Sequence, residues 1–416
     1  MTGRRLFLLF VLVCSLSVQA SPPSYPLIVQ IPLTIDITNI VTAVGGKVID
    51  AIPGAGTYLL RVPAVPPSWM LSRLGIQWTE LNEGAMLPGF GELGVLALPP
   101  DAAPDWYKQQ PSMLLIRSAD ALLYSTGRAV VIADINSKVD VAHPALIGHL
   151  TTGYDFVANK PTGPTTLNQS SASFMDQPPS FIDQSSASFM DRVSATFLDQ
   201  SSASFMDDNN PAYSHGTLCA GVIAAVAPDS MIMPLRVFDD RGSADVFTIA
   251  KAIRYAVQQG AQIINMSYGT LNDSPTLQSA IKFALNKNVV MVASAGNKNT
   301  SVPQYPAAYN GVITVAATDL FDRKAPFSNY GGDVYVDAPG VNIFSAYPGG
   351  YYSVVSGTSF SAPAVAGTAA LIRSLHATGV PGYIAGAAIN IDSKNLNYAG
   401  QLGYGRIDVL RAVKPD

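Results

Sequence analysis

Charge is scarce in this sequence of 416 residues, of which only 13% are charged while 48% are hydrophobic. A composition of this kind excludes a chain that is disordered throughout, and the length allows a large core and more than one domain. The net charge is −4, with 25 Lys and Arg against 29 Asp and Glu. A mildly acidic chain lacks the basic surface that nucleic acids require, so we expect no nucleic-acid partner.

Cysteine is almost absent, and the N-terminal apolar run is short. The two cysteines are Cys14 and Cys219, and Cys14 lies within the apolar run 6–18, which follows two arginines and ends in a pattern typical of a signal peptidase site. The run is too short for a permanent membrane anchor, so we expect residues 1–20 to be a signal peptide and the protein to be secreted or periplasmic. The mature chain would hold 23 basic and 29 acidic residues, a net charge of −6. It would hold one thiol and no internal disulfide.

The first part of the mature chain has the pattern of a small α+β domain. The predicted strands are 27–32, 47–52 and 57–62, and a predicted helix runs from its N-cap Asp36 to Gly45. The Pro-rich stretch 98–104 has the composition of a linker. The sequence therefore predicts a separate N-terminal domain over residues 21–105.

From residue 106 to residue 416 the pattern is that of a second, larger domain. The predicted strands are 130–135, 231–237, 262–267, 289–295 and 312–316, and helices are predicted over 246–258 and 274–285. Strands that alternate with helices predict an α/β fold with a mostly parallel sheet covered by helices on both faces. In such folds the active site lies beyond the carboxyl ends of the strands.

A repeat interrupts this domain. The eight residues Gln-Ser-Ser-Ala-Ser-Phe-Met-Asp occur at 169–176, 184–191 and 200–207, with looser copies between them. Short repeats of this kind can build stacked strands, whereas a Ser-rich composition is typical of an inserted flexible loop. The composition therefore favours a flexible inserted loop over residues 168–208, and stacked strands are the alternative.

Three polar residues stand where catalytic groups are expected. Ser359 follows a Gly-Thr turn and precedes a helix of small residues, where the helix dipole favours a developing anion. His215, in Ser-His-Gly-Thr, is predicted on the first turn of another helix of small residues. Asn297 ends a strand and carries an amide that can donate to an oxyanion. The other three histidines have no comparable context and are expected to be surface or packing residues.

In this order the motifs resemble those of the subtilisin-like serine peptidases, and the resemblance covers roughly residues 110–413. It implies that Ser359 is the nucleophile, His215 the general base and Asn297 the oxyanion donor. Substrates would be peptides or proteins.

The resemblance also implies two walls that pair with the substrate backbone. One wall is Ser267, Tyr268 and Gly269, and the other begins at Gly242. The N-terminal domain is similar to an inhibitory propeptide of the family, so the chain's own propeptide is an expected partner, with trimming near residues 100–112.

No cofactor and no metal are expected. The segment 220–228 is too short for the calcium loop that the family often has after the histidine helix, and Ala145 stands where a carboxylate often follows His-Pro.

The acid position of the family is occupied by an amide. Thr126-Gly127 leads through eight residues to Asn136, and three further residues lead to Asp140, so the family spacing is kept without a gap. An amide that donates to the imidazole would select the tautomer that cannot accept the serine proton, and it carries no charge for the imidazolium. The sequence predicts that Asn136 limits the rate, unless a strand bulge brings Asp134 forward to the histidine.

Two functions follow from this substitution. One is a secreted endopeptidase that works through a serine acyl-enzyme and is weakened at the acid position. The alternative is a catalytically silent member of the fold that binds peptides or partners.

Overall fold

The computed structural model describes residues 24–96, 105–163 and 211–414. The predicted signal peptide 1–20, the Pro-rich stretch 98–104 and the repeat insertion 168–208 lie outside these ranges. Within them the chain divides into two compact units, which meet between Leu81 and Asn82. The last part of the predicted N-terminal domain, from residue 82 onward, therefore belongs to the second unit.

The first unit is an antiparallel sheet with two helices. Its strands are β1 (Tyr25–Gln30), β2 (Lys47–Ile52), β3 (Thr57–Val62) and β4 (Trp78–Leu81), and its helices are α1 (Ile37–Val44) and α2 (Ser68–Arg73). The strand order is β2-β3-β1-β4. The predicted helix and the predicted strands β2 and β3 are confirmed, and Asp36 caps α1 by accepting from Thr38 N–H at 2.9 Å. Alternate residues of β1 and β3 pack against Ile40 to form a small core.

An eight-stranded sheet forms the centre of the second unit. Its strands are β7 (Val131–Asn136), β8 (Gly153–Asp155), β9 (Lys160–Thr162), β10 (Met231–Arg236), β12 (Ile263–Met266), β13 (Val290–Ser294), β14 (Val312–Thr318) and β15 (Val336–Pro339). The order is β15-β14-β13-β12-β7-β10-β8-β9, and each pair is parallel except β8 with β9. The predicted, mostly parallel sheet is confirmed.

The second unit also contains two small sheets. The two-stranded sheet joins β5 (Gly84–Met86) to β11 (Ser243–Asp245), and the three-stranded sheet has β17 (Tyr351–Ser356) between β16 (Ile343–Tyr347) and β6 (Gly91–Leu96). Both sheets are antiparallel.

Helices cover the main sheet on both faces. The long helices are α6 (Pro211–Val226), α7 (Val246–Gln258), α8 (Pro275–Asn286) and α9 (Thr358–Leu375). The shorter ones are α3 (Asp105–Lys108), α4 (Pro111–Leu115), α5 (Ser118–Ala121), α10 (Val380–Ala387) and α11 (Val409–Val413). The pair α6 and α9 packs on one face and the pair α7 and α8 on the other. No helix in the described ranges is both long and apolar enough to cross a membrane.

In the core between the main sheet and the helices α6 and α9, buried polar side chains lie beside apolar ones. Ile132 of β7 and Ile263 of β12 belong to this core, whose helices contribute mostly small side chains. Because side chains of a strand alternate between its faces, Asp134, Asn136 and Asn265 follow on the same side. These three polar side chains are completely buried. Buried polar groups need hydrogen-bond partners, and the partners they have define the site.

Candidate active site

Three elements bring the expected catalytic side chains into one region. Asn136 ends β7, His215 lies on α6, and Ser359 lies in the first turn of α9. All three are completely buried. The prediction for His215 needs a correction, because α6 begins at Pro211 and the histidine is therefore on its second turn rather than its first.

A close approach at Gly216 brings α6 to the end of β7. A Cβ atom on Gly216 would lie 2.6 Å from the backbone oxygen of Ser137 and 2.8 Å from that of Lys138, so a larger residue cannot occupy this position without a shift. The Gly216 N–H donates to Ser137 Oγ at 3.0 Å. Because the helix is held this closely to the residue after Asn136, the imidazole of His215 faces the amide of Asn136.

The amide of Asn136 presents its oxygen, not its nitrogen, to the histidine. Asn136 Oδ1 lies 2.7 Å from His215 Nδ1, and the same oxygen accepts from the Ser137 N–H at 2.8 Å. An oxygen at this distance requires a proton on Nδ1, which leaves Nε2 of the neutral ring as an acceptor. This tautomer can take a proton from serine, whereas an amide that donated its N–H would have selected the other one.

The carboxylate of Asp134 lies behind this amide. Asn136 Nδ2 donates to Asp134 Oδ1 and Oδ2 at 3.3 Å and 3.4 Å. Asn265, paired with Asp134 across β12 and β7, donates to Asp134 Oδ1 at 2.8 Å. The register of β7 with β10 runs from Val131 to Asn136 without a bulge, so the expected alternative of a bulge that carries Asp134 forward to His215 is wrong.

Burial shifts the pKa values of these groups in opposite directions. It lowers the pKa of His215 to about 3, since the charged imidazolium is the form that loses water. It raises the pKa of Asp134 to about 6, and the hydrogen bonds from Asn265 and Asn136 partly oppose the rise. Burial also raises the pKa of Cys219, the residue one turn after His215, which makes its thiol a packed group rather than a nucleophile.

The hydroxyl of Ser359 is held by the wall residue Ser267. Ser359 Oγ donates to the Ser267 backbone oxygen at 3.2 Å, and Ser267 Oγ donates to the Ser359 backbone oxygen at 2.9 Å. Among the described residues His215 Nε2 has no hydrogen-bond partner. The acceptor of the proton and the hydroxyl that would supply it are therefore not bonded to each other in this state.

Asn297 is oriented to donate. Its Oδ1 accepts from the backbone N–H and the hydroxyl of Thr358, at 2.9 Å and 2.7 Å. The amide nitrogen is thereby directed away from α9, and it donates to the backbone oxygen of Gly89 at 3.2 Å. A peptide carbonyl thus already lies at the expected oxyanion donor.

That carbonyl belongs to residues 82–96, here called the covering segment. On one side of Gly89 the segment forms β5, which pairs with β11 and forms a bridge from Met86 to Gly269. Leu87 N–H donates to the Gly242 backbone oxygen at 2.8 Å. The two expected walls, at Gly242 and at Gly269, therefore hold a strand of this chain between them.

On the other side of Gly89 the covering segment passes over the histidine. The ring centroid of Phe90 lies 5.7 Å from that of His215 and 5.3 Å from that of Phe360. The following strand, β6, pairs antiparallel with β17 from Ser356 to Tyr352. The covering segment is therefore anchored as a strand on both sides of the catalytic residues, and it contributes to the burial of His215.

Sequence reasoning missed two parts of this site. Asn265 carried a signal, because an amide inside the apolar stretch Ile-Ile-Asn-Met is unusual for a buried strand. The covering segment carried only a weak signal, since its strands pair with residues far away in the sequence. In the ranges that the structure describes, no three His, Cys, Asp or Glu residues gather in a way that would hold a metal ion.

Comparison with known proteins agrees with this arrangement. Residues 127–405 match the model of the Subtilase family, Peptidase_S8. The chain is 33% identical to thermitase of Thermoactinomyces vulgaris over 311 residues, which are 72% of this chain and 94% of thermitase. It is 37% identical to a thermophilic serine proteinase of Bacillus sp. (strain AK1) over 292 residues, 68% of this chain and 61% of that protein.

A solved structure shares the fold. The crystal structure of fervidolysin from Fervidobacterium pennivorans, described as a keratinolytic enzyme related to subtilisin, aligns with a TM-score of 0.69 at 23% identity. The alignment covers 95% of this chain and 61% of fervidolysin.

Proposed function

Because this chain belongs to the subtilase family of serine-type endopeptidases, we propose that it hydrolyses internal peptide bonds through an acyl-enzyme on Ser359. The observation that carries the proposal is the 2.7 Å contact of Asn136 Oδ1 with His215 Nδ1, which leaves Nε2 free to accept the serine proton. Hydrolysis of a peptide with a single internal cleavage site, by purified and processed protein, tests it.

The first half of the proposed reaction forms the acyl-enzyme. His215 Nε2 takes the proton of Ser359 Oγ as that oxygen bonds to the carbonyl carbon of the substrate. The carbonyl oxygen becomes an oxyanion that accepts from Asn297 Nδ2 and from the Ser359 N–H. The C–N bond then breaks, and His215 gives its proton to the leaving amine.

The second half repeats these steps with water. His215 takes a proton from the water as its oxygen attacks the acyl carbon, and the proton returns to Ser359 Oγ when the acid product leaves. Throughout, the Nδ1 proton stays on the ring and remains hydrogen-bonded to Asn136 Oδ1. The scheme uses only side chains and backbone groups of this chain.

We further propose that the covering segment inhibits the enzyme in its precursor form. Its backbone lies between the walls at Gly242 and Gly269, and the Gly89 oxygen lies at Asn297, so a substrate cannot enter while it remains. The predicted N-terminal signal supports an extracellular or periplasmic location for the processed enzyme.

One prediction concerns the oxyanion donor. Asn297→Leu removes the amide that donates to the Gly89 oxygen and is expected to lower kcat by about 10²–10³-fold, the loss found for a subtilisin that lacks one such donor. KM should change little, because this hydrogen bond strengthens in the transition state. Steady-state kinetics on a peptide substrate measure both constants.

The matched control is Asn310→Leu, which removes an exposed amide outside the site. Its kcat should equal that of the wild type. An unchanged kcat in correctly folded Asn297→Leu protein would remove Asn297 from the mechanism.

A second prediction concerns processing. Because the Gly89 carbonyl lies at the oxyanion donor, we expect the purified full-length chain to cut itself between Gly89 and Phe90, rather than near residues 100–112 as expected from the sequence. Intact-mass measurement and N-terminal sequencing would detect a chain that begins at Phe90.

The Ser359→Ala variant should stay uncut under the same conditions, which separates self-cleavage from contaminating proteases. Active protein whose only new N-terminus lies between residues 100 and 112 would contradict this prediction. In that case the bond between Gly89 and Phe90 is not the one that the enzyme cuts in its own chain.

A further inference from the structure

We propose that Asp134 is a positioning residue that supplies the missing negative charge of the active site through Asn136. The inference rests on the proposed function, since it assigns a role within the same reaction. The contacts form one line of buried groups: Asp134 accepts from Asn136 Nδ2 at 3.3 Å and 3.4 Å, and Asn136 Oδ1 accepts from His215 Nδ1 at 2.7 Å. Neither Asp134 nor Asn136 is exposed to solvent.

The carboxylate fixes the direction of the amide. If the Asn136 side chain were reversed, its oxygen would face the Asp134 carboxylate, and two acceptors would meet without a proton between them. The amide nitrogen would at the same time face the backbone N–H of Ser137, so a donor would meet a donor. Only the observed orientation satisfies all of these groups, because an ionised carboxylate accepts and does not donate.

A second amide fixes the carboxylate in turn. Asn265 Nδ2 donates to Asp134 Oδ1 at 2.8 Å and to Ser267 Oγ at 3.0 Å. Ser267 Oγ donates to the Ser359 backbone oxygen. Asp134 is therefore joined through one amide to the general base and through another to the segment that carries the nucleophile.

The negative charge of Asp134 matters at the step in which the serine proton moves to His215. During catalysis His215 becomes an imidazolium, and an anion in a dry interior stabilises that charge across the intervening amide. No proton reaches Asp134 in this step: Nε2 gains the serine proton, Nδ1 keeps its own, and the Asn136 amide is polarised between the two charges. The relay is weaker than direct contact of a carboxylate with the ring, because the charges are farther apart.

The relay predicts a dependence on pH. Burial raises the pKa of Asp134 to about 6, and the titratable groups that interact with its charge are Cys219 on α6 and Tyr268 after β12. Cys219 and Tyr268 stay neutral near this pH, since burial raises the pKa of both. Activity requires the ionised carboxylate, so it should fall as the pH drops through about 6.

The kinetic test compares two variants. Asp134→Asn keeps the size of the side chain but removes the charge, and kcat is expected to fall by between about 10²- and 10⁴-fold, the upper figure being the loss when a triad aspartate becomes an amide. KM should stay within about twofold, because this change does not touch the substrate. The fall in activity near pH 6 should disappear or move.

The double variant Asp134→Asn/Asn136→Asp exchanges the acid and the amide within the same volume. It should restore kcat to the wild-type value or above, because the carboxylate then contacts His215 directly. The matched control is Asp337→Asn, which removes another completely buried carboxylate from β15, separated from β7 by three strands. Its kcat and pH profile should equal those of the wild type.

A readout without catalysis separates this proposal from the function on which it rests. In the Ser359→Ala background, ¹⁵N NMR of labelled histidine should show neutral His215 with its proton on Nδ1, and Asp134→Asn should mix the two tautomers. A silent protein that shows this NMR change would overturn the proposed function and keep the relay. A wild-type tautomer in the Asp134→Asn protein overturns the relay, and so does a folded double variant with kcat more than tenfold below that of the wild type.

Discussion

Replacing Ser359 with alanine is expected to lower peptide hydrolysis by roughly 10⁶-fold, the loss found for the corresponding serine of a subtilisin, and to abolish labelling by a fluorophosphonate. The expectation rests on position as much as on residue type. Ser359 lies in the first turn of α9, where backbone N–H groups and the helix dipole favour an anion, and its hydroxyl is held beside the wall at Ser267. Labelling has to be measured on protein that has been cut and has released the covering segment, because this segment occupies the site in the uncut chain.

Ser361→Ala provides a matched control on the same helix. Ser361 is also completely buried, but its hydroxyl donates to the backbone oxygens of Ala338 and Pro339, away from the histidine. This variant should be labelled as the wild type is. If well-folded, processed wild-type protein is not labelled at any pH, the chain is better described as a silent peptide-binding member of its family.

The second large effect is an increase in turnover, dependent on pH, that we expect from the variant Asn136→Asp. The new carboxylate would contact His215 directly and could raise turnover by up to about 10⁴-fold, or about 5.5 kcal/mol. The structure adds a constraint that the sequence did not reveal, since the replaced amide nitrogen lies 3.3 Å from Asp134 Oδ1. Two buried carboxylates at this separation share a proton, and one of their pKa values rises strongly.

We therefore expect the acid limb of kcat/KM in Asn136→Asp to move to higher pH than in the wild type, with the full gain only on the alkaline side. Profiles of kcat/KM against pH for the wild type and Asn136→Asp measure this shift. The double variant described above, with a neutral neighbour, should show the gain at lower pH. A single variant that is less active than the wild type at every pH would falsify the view that the amide limits the rate.

The helix bounds that were predicted from the sequence depend on residues close to each helix end. The bounds of α7 agree with the prediction because Asp245 caps the helix through its own side chain, accepting from Thr248 N–H at 2.9 Å. In α8, Ser274 does the same for Leu277 N–H, and Pro275 follows at the first helical position. The resemblance to the subtilisin-like serine peptidases likewise placed Asn136, His215 and Ser359 in one site, because their motifs follow the chain order of that family.

The direction of the Asn136 amide could not be predicted in this way. It depends on Asp134 on its own strand and on Asn265 on the neighbouring strand, and these contacts exist only once β7 and β12 are in register. The sequence showed Asp134 as a competitor for the acid position, whereas the structure has it behind Asn136.

The strands of the covering segment were missed for a related reason. β5 has only three residues, and its partner β11 lies more than 150 residues further along the chain. No local pattern encodes a pairing of that kind.

The covering segment is paired with other strands on both sides of Gly89. Cutting the chain at Gly89 and opening the active site would therefore be two separate steps. After a cut between Gly89 and Phe90, β5 would still be hydrogen-bonded to β11, and β6 to β17, because neither pairing involves the broken bond. The nicked protein would remain latent until both ends dissociate. Release of the cut strands, with its own dependence on temperature and denaturant, would then set the time at which activity emerges.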